Sequence, residues 1–173
     1  MTYFVDIFSI ETFEKFSNSE KTIAGFHPSR RAWLGKIKPG DKIVCYLKGL
    51  SCWAGLLEVT GPMTEVAGGD EVIAEYTLQF PVIPVVWLAK GTLIPIRRAD
   101  VWASLSFTKN VVPGAGGWNA ILRSSAVRLG EDDGAILEKL MLTQAKEPQP
   151  DNITEQEWKK SLDSKFQEAV ELR

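Results

Sequence analysis

The sequence predicts an α+β domain, a mixed β-barrel flanked by short helices, with one further helix after a Pro-rich linker. Three observations carry that reading. Residues 37–60 read as a turn, a strand, a short loop and a second strand. Pro39 presets φ, and Gly40 and Asp41 tolerate the bend. Ile43 to Leu47 and Leu56 to Val59 are apolar runs of strand length. Other short apolar runs recur along the chain, bounded by Gly or Pro. Finally, Glu147-Pro148-Gln149-Pro150-Asp151-Asn152 has linker composition, and Thr154 with Glu157 beyond it has the spacing of a helix capping box.

Taken in order, residues 3–8 read as a first strand. Ser9 can cap a short helix over Ile10 to Phe16, with Phe13 and Phe16 on one face. Ser17 to His27 is a polar loop. Pro28 suits the first turn of a helix running to about Lys36, with Trp33 and Ile37 facing inward. Strands are expected over 42–48 and 53–60, linked by Lys48-Gly49-Leu50-Ser51. An acidic loop holds Gly68-Gly69-Asp70, and a strand resumes over Glu75 to Val82. Pro81 and Pro84 bracket Val82-Ile83 and favour an edge or a bulge there. Val85 to Leu88 and Leu93 to Ile96 are further short strands, and Arg98 to Leu105 is helical. Thr108 to Gly117 is a Gly-rich loop. Ile121 to Leu129 includes another strand, and Asp132 to Thr143 is an amphipathic helix. In the last helix Trp158, Leu162, Phe166 and Val170 form a four-residue stripe. Such a stripe needs cover, either from the barrel or from a further domain.

A chain of 173 residues suffices for one well-buried domain with an appendage. No apolar run reaches the roughly 20 residues that cross a bilayer. The N-terminus carries Asp6 and no basic segment before its apolar residues, so it does not read as a signal peptide, and a cytoplasmic location is the expectation. The two cysteines, Cys45 and Cys52, are expected to be reduced, buried thiols. His27 is the one histidine and no Cys-x-x-Cys pair exists, so neither a metal nor another cofactor is expected. Net charge is −2, but its distribution is uneven. Residues 21–50 carry seven Lys/Arg against one Asp, residues 90–128 carry six against Asp100, and residues 131–173 carry eleven Asp/Glu against six Lys/Arg. Two basic segments suit phosphate contact; the other reading is a set of lysines that simply solvate a surface.

The stretch Ile37 to Thr60, with its Gly-Leu-Leu-Glu-Val run, resembles the EVE domain, a PUA-like family related to YTH domains. Tyr3-Phe4-Val5-Asp6-Ile7-Phe8-Ser9 resembles that family's opening strand, and Pro81-Val82-Ile83-Pro84-Val85-Val86-Trp87-Leu88 a later one. The resemblance covers roughly residues 1–145, so 1–146 is assigned to an EVE/PUA-like domain and 147–173 to the linker and amphipathic C-terminal helix. It implies a small mixed barrel holding one flipped, modified base in an aromatic pocket.

Six tryptophans exceed what packing usually requires. Trp53, Trp102 and Trp118, near loops or strand ends, are candidates to sandwich a base, since each stacking contact is worth roughly 1–3 kcal/mol; core packing is the plainer role, and Trp33 and Trp87 fit it better. Base identity needs polar atoms in a dry pocket. Ser9, His27, Ser106, Ser124 and Ser125 are the side-chain candidates, with backbone groups of Ile7 and Phe8. By resemblance, Ile23-Ala24-Gly25-Phe26-His27 is a pocket-lining loop, adding Gly25 and Phe26. It departs from the commoner Val-Arg-Asn version, so base identity does not carry over. Arg123 precedes Ser124-Ser125 where relatives bind the backbone, and Arg30, Arg31, Lys48 and Lys109 lie in the basic segments. These five are the phosphate candidates.

No catalytic constellation is legible. The serines lack a histidine partner apart from His27, and no Gly-rich phosphate loop precedes a helix. Pro150-Asp151 with Glu157-Trp158-Lys159 mimics a nuclease pattern, but Glu157 and Lys159 fall on different faces of a helix. The expectation is a non-catalytic module that binds a modified cytosine in DNA. Three alternatives stay open: the specificity domain of a modification-dependent restriction nuclease, whose cutting domain would be fused or a partner; a reader of modified RNA; and a protein- or small-ligand-binding barrel.

Overall fold

A computed structural model describes residues 1–67 and 75–171, with the side chains of the last helix as far as Asp163. The aromatic and β-branched run Tyr3–Phe8 forms strand β1. Ser9 then caps helix α1 (Ile10–Asn18), its hydroxyl accepting from Thr12 N–H while the Thr12 hydroxyl accepts from Ser9 N–H. Residues 23–26, expected in a polar loop, form strand β2 (Ile23–Phe26). A 3₁₀ turn over Pro28–Arg30 leads into α2 (Arg31–Leu34), a helix much shorter than expected. Strands β3 (Lys42–Leu47) and β4 (Cys52–Val59) follow, joined by the 3₁₀ turn Lys48–Leu50. Beyond the two-residue β5 (Thr64–Glu65), the runs split by Pro81 and Pro84 form one ten-residue strand, β6 (Leu78–Trp87). Gly68-Gly69-Asp70 lies outside the described residues. The chain continues through β7 (Ile94–Pro95), α3 (Ala99–Ser104), β8 (Val127–Leu129), α4 (Glu131–Lys146) and α5 (Glu155–Glu171).

The strands make one mixed sheet in the order β2-β6-β4-β3-β1-β8, with β5 on β6 and β7 on β4. Among the described strands only β1 and β3 run parallel, Asp6 lying opposite Cys45. Pro84 sits beside the irregularity where β6 pairs with β4, as a proline inside a central strand must. β4 is covered on both faces, which puts the core on both sides of the sheet. Cys45 and Cys52 are buried and unbridged.

The last helix returns to the sheet. Trp158 is buried, its ring edge-on to Phe13 of α1 at 5.9 Å, and its indole N–H donates to Glu14 at 3.0 Å. Gly49 backs directly on Ser161 of this helix. Phe166 and Val170 lie outside the described side chains. The linker is pinned as well: Asp151 accepts from Leu93 N–H and Ile153 N–H, and Glu157 caps α5 through Thr154. Asp151 and Glu157 thus serve local structure. From the other side Trp87 packs against Phe8, Phe13 and Phe16 and donates to Ser17. Helix α1 is therefore held by an aromatic cluster on β6 and by α5, leaving another of its faces to line a cavity.

Candidate functional site

That cavity has a volume of about 600 Å³ and opens between the end of β1, helix α1, strand β2 and the segment before β8. Its walls include the aromatic residues Phe8, Phe16, Phe26 and Tyr76, and none of the described lining residues is a tryptophan. β2 makes the wall possible. It pairs with β6, with Gly25 opposite Gln79, and a Cβ at Gly25 would meet Tyr76 Cβ at 3.1 Å. Glycine lets the tyrosine lie against the strand.

Among the described lining residues the buried charged group is Asp6, 6% exposed in a strand of otherwise apolar residues. Ser125 orients it. The Ser125 hydroxyl accepts from Ile7 N–H at 2.9 Å and donates to Asp6 Oδ1 at 2.8 Å. Arg30 Nε donates to the Ser125 carbonyl at 2.9 Å, tying the basic turn to the same segment. Ala126, next along, holds φ at 65°, a conformation alanine adopts at some energetic cost, and donates to Val5 O. The backbone is thus bent to deliver Ser125 to Asp6. Burial pushes the Asp6 carboxyl up to about 7, against the hydrogen bonds from Ser125 and Ile7 that pull it down. Among the described residues no cation pairs with it. Burial also raises the Cys45 thiol behind it, with the Asp6 charge adding to the effect.

The structure brings Ile7, Phe8, Gly25, Phe26, His27, Ser124, Ser125 and Arg30 to this one cavity. It puts the other candidates elsewhere. Ser9 caps α1, and its neighbour in the box, Thr12, lines the cavity instead. Trp53 is fully buried in the core, edge-on to Tyr46 at 4.9 Å. Trp102 and Trp118 pack on each other at 5.0 Å with Arg97 over both rings, and the Trp102 indole donates to Val111 O. Ser106 is spent on Asp133. Arg31 pairs with Glu65, while Lys48, Lys109 and Arg123 are exposed away from the cavity walls.

Trp33 reverses its expectation. It is 44% exposed, with the Arg30 guanidinium 5.1 Å and the Lys36 ammonium 4.9 Å from the ring centroid. Helix α2 ends at Leu34, so one turn cannot carry both Trp33 and Ile37 inward; Leu34 and Ile37 take the core. Arg30 therefore links a cationic aromatic ledge to the cavity wall. Sequence reasoning passed over Asp6, Lys15, Phe16, Lys21, Tyr76 and Gln79 as lining residues. Asp6 alone carried a signal, a charge at a buried position inside an apolar strand.

No protein-family model matches the chain, and no curated protein does. Solved structures do. The Mmi1 YTH domain in complex with RNA matches with a TM-score of 0.58 at 11% identity, over 87% of this chain and 84% of that one. The YTH domain of Zygosaccharomyces rouxii MRB1, in complex with N6-methyladenosine RNA, gives 0.53 at 16% identity over 87% and 90%. The Pho92 YTH domain in complex with m6A gives 0.55 at 15% over 81% and 85%. At these identities the likeness is one of fold: the chain has a YTH-like α+β architecture.

Proposed function

We propose that this chain is a non-catalytic reader that takes one modified base of an RNA strand into the cavity beside Asp6. The observation that carries the reading is an aromatic cavity of about 600 Å³ with a buried hydrogen-bonding group in its wall. That is the size and make-up of a small-ligand site. A base drawn out of its strand needs apolar faces to stack on and a polar group to read its edge. Lys15, Lys21 and Arg30 line the same cavity and offer charge to the phosphates on either side. The fold neighbours in complex with RNA favour RNA over DNA as the ligand, with an N6-methylated adenine as the leading base. A modified cytosine in DNA, and a role in restriction, gain no such support.

The exposed Trp33, flanked by Arg30 and Lys36, is placed to stack a neighbouring base of the bound strand. Fluorescence anisotropy with the full chain and short single-stranded RNAs tests this. An RNA with one central N6-methyladenosine is expected to bind at least tenfold tighter than its unmodified twin and than the matching DNA. Affinity falls steeply between about 50 and 200 mM salt. Trp33→Ala is expected to weaken binding about tenfold, the loss of one stacked base, with an unchanged melting temperature because the ring is at the surface. Absence of binding to every oligonucleotide at low salt overturns the reading.

A further inference from the structure

The Asp6–Ser125 pair has a direction that a merely structural hydrogen bond would not need. Ser125 Oγ accepts from Ile7 N–H and gives its own proton to Asp6 Oδ1. With Oδ1 accepting from Ser125 in this arrangement, a proton on the carboxyl has its place on Oδ2. A neutral Asp6 therefore offers one acceptor and one donor side by side.

We propose that Asp6 determines base specificity in this cavity by pairing its carboxyl with an amino–imine edge, the exocyclic N–H and adjacent ring nitrogen of an adenine- or cytosine-type base. The inference deepens the reading of the chain as a modified-base reader and rests on it. In the pair, the exocyclic N–H donates to Oδ1 and the Oδ2–H donates to the ring nitrogen. Adenine- and cytosine-type rings have a basic nitrogen there, so the proton can be shared without leaving a charge alone in an apolar wall. Uracil and guanine carry N–H at that position and cannot accept the proton. An N6-methyl group leaves one N–H for Oδ1.

Burial raises the proton affinity of Asp6 above that of an ordinary carboxyl. Its carboxyl is pushed up to about 7 by burial. From β3 it faces the Cys45 thiol, itself raised by burial and by Asp6. Tyr76, whose hydroxyl is raised by burial with the Asp6 charge adding to it, enters from the segment that precedes β6. Arg30 reaches the Ser125 carbonyl, not the carboxylate. Among the described residues, Lys15, Lys21, Glu20 and His27 are the other charged and titratable groups of the lining.

The test titrates free nucleosides and RNAs against the full chain at pH 6 and pH 8.5, read by NMR shifts and anisotropy. Wild type is expected to bind N6-methyladenosine, adenosine and cytidine more tightly than uridine and guanosine, and to lose about tenfold for the first three at the higher pH. Asp6→Asn, whose amide presents a donor and an acceptor at every pH, is expected to keep the preference and lose the pH dependence. Asp6→Leu is expected to lose the preference. Equal binding of all five nucleosides, no nucleoside binding at all, or a pH dependence that survives in Asp6→Asn overturns the inference. Nucleosides that bind with the expected preference while no RNA binds would uphold the edge pairing and overturn the reader reading instead.

Discussion

Trp53→Ala is expected to lower stability by about 3–5 kcal/mol while leaving the affinity of the folded protein for its ligand intact. Trp53 is wholly buried at the start of β4, opposite Tyr46 on one side and Ile94 on the other. Truncation empties a bicyclic volume between two sheet neighbours that cannot both move in. The indole N–H is the one buried side-chain polar group among the described residues without a hydrogen-bond partner. Trp53→Phe removes that unpaired donor together with part of the ring. Its cost should therefore be well below that of alanine, about 1–2 kcal/mol. Urea unfolding separates the two variants. Anisotropy at denaturant concentrations where both remain folded checks the ligand. A Trp53→Ala protein as stable as wild type but unable to bind would return this ring to a binding wall.

The tryptophans show where a sequence stops being legible. A ring at a strand start satisfies two descriptions equally, pocket floor and core, and the sequence does not reveal which face the sheet curls around. Trp53 and the Trp102–Trp118 pair went to packing, while Trp33, assigned to packing, came out to solvent. The strands with clear patterns were legible: β1, β3 and β4 fall within a residue or so of expectation. β2 was not, because four residues with a glycine inside give no period to count, and it is held by pairing with β6. In the sequence β6 looks like two pieces, since its prolines resemble ends until a bulge absorbs one of them. The backbone groups of Ile7 and Phe8 and the side chains of His27, Ser124 and Ser125 are legible as polar groups near strand ends, and Gly25 and Phe26 through the family resemblance. Tyr76 and Phe16 arrive by tertiary folding and left no local mark.

Asp6→Asn is expected to make the protein more stable than wild type at pH 8 by up to about 4 kcal/mol, and no more stable below pH 4. Unfolded, the Asp6 carboxyl has its ordinary value of 3.8; folded, burial lifts it to about 7. A group raised on folding contributes stability that is complete below the unfolded value and is lost as pH climbs through the folded one. At 1.36 kcal/mol per pH unit, the span between the two corresponds to about 4 kcal/mol. Asparagine keeps the acceptor for Ser125 and has no charge to bury, so it removes this loss without opening a cavity. Carboxylates whose values are lowered, such as Glu138 beside Lys42 and Tyr3, act in the opposite sense at acid pH and are the same in both proteins. The difference between the two urea-unfolding profiles from pH 4 to pH 8 therefore isolates Asp6. A difference that stays flat across that range would mean that the carboxyl is solvated when folded and has no proton to share with a base. A rising one would show a chain that keeps a destabilising acid in the wall of its cavity, which is what a group retained for recognition rather than for folding does.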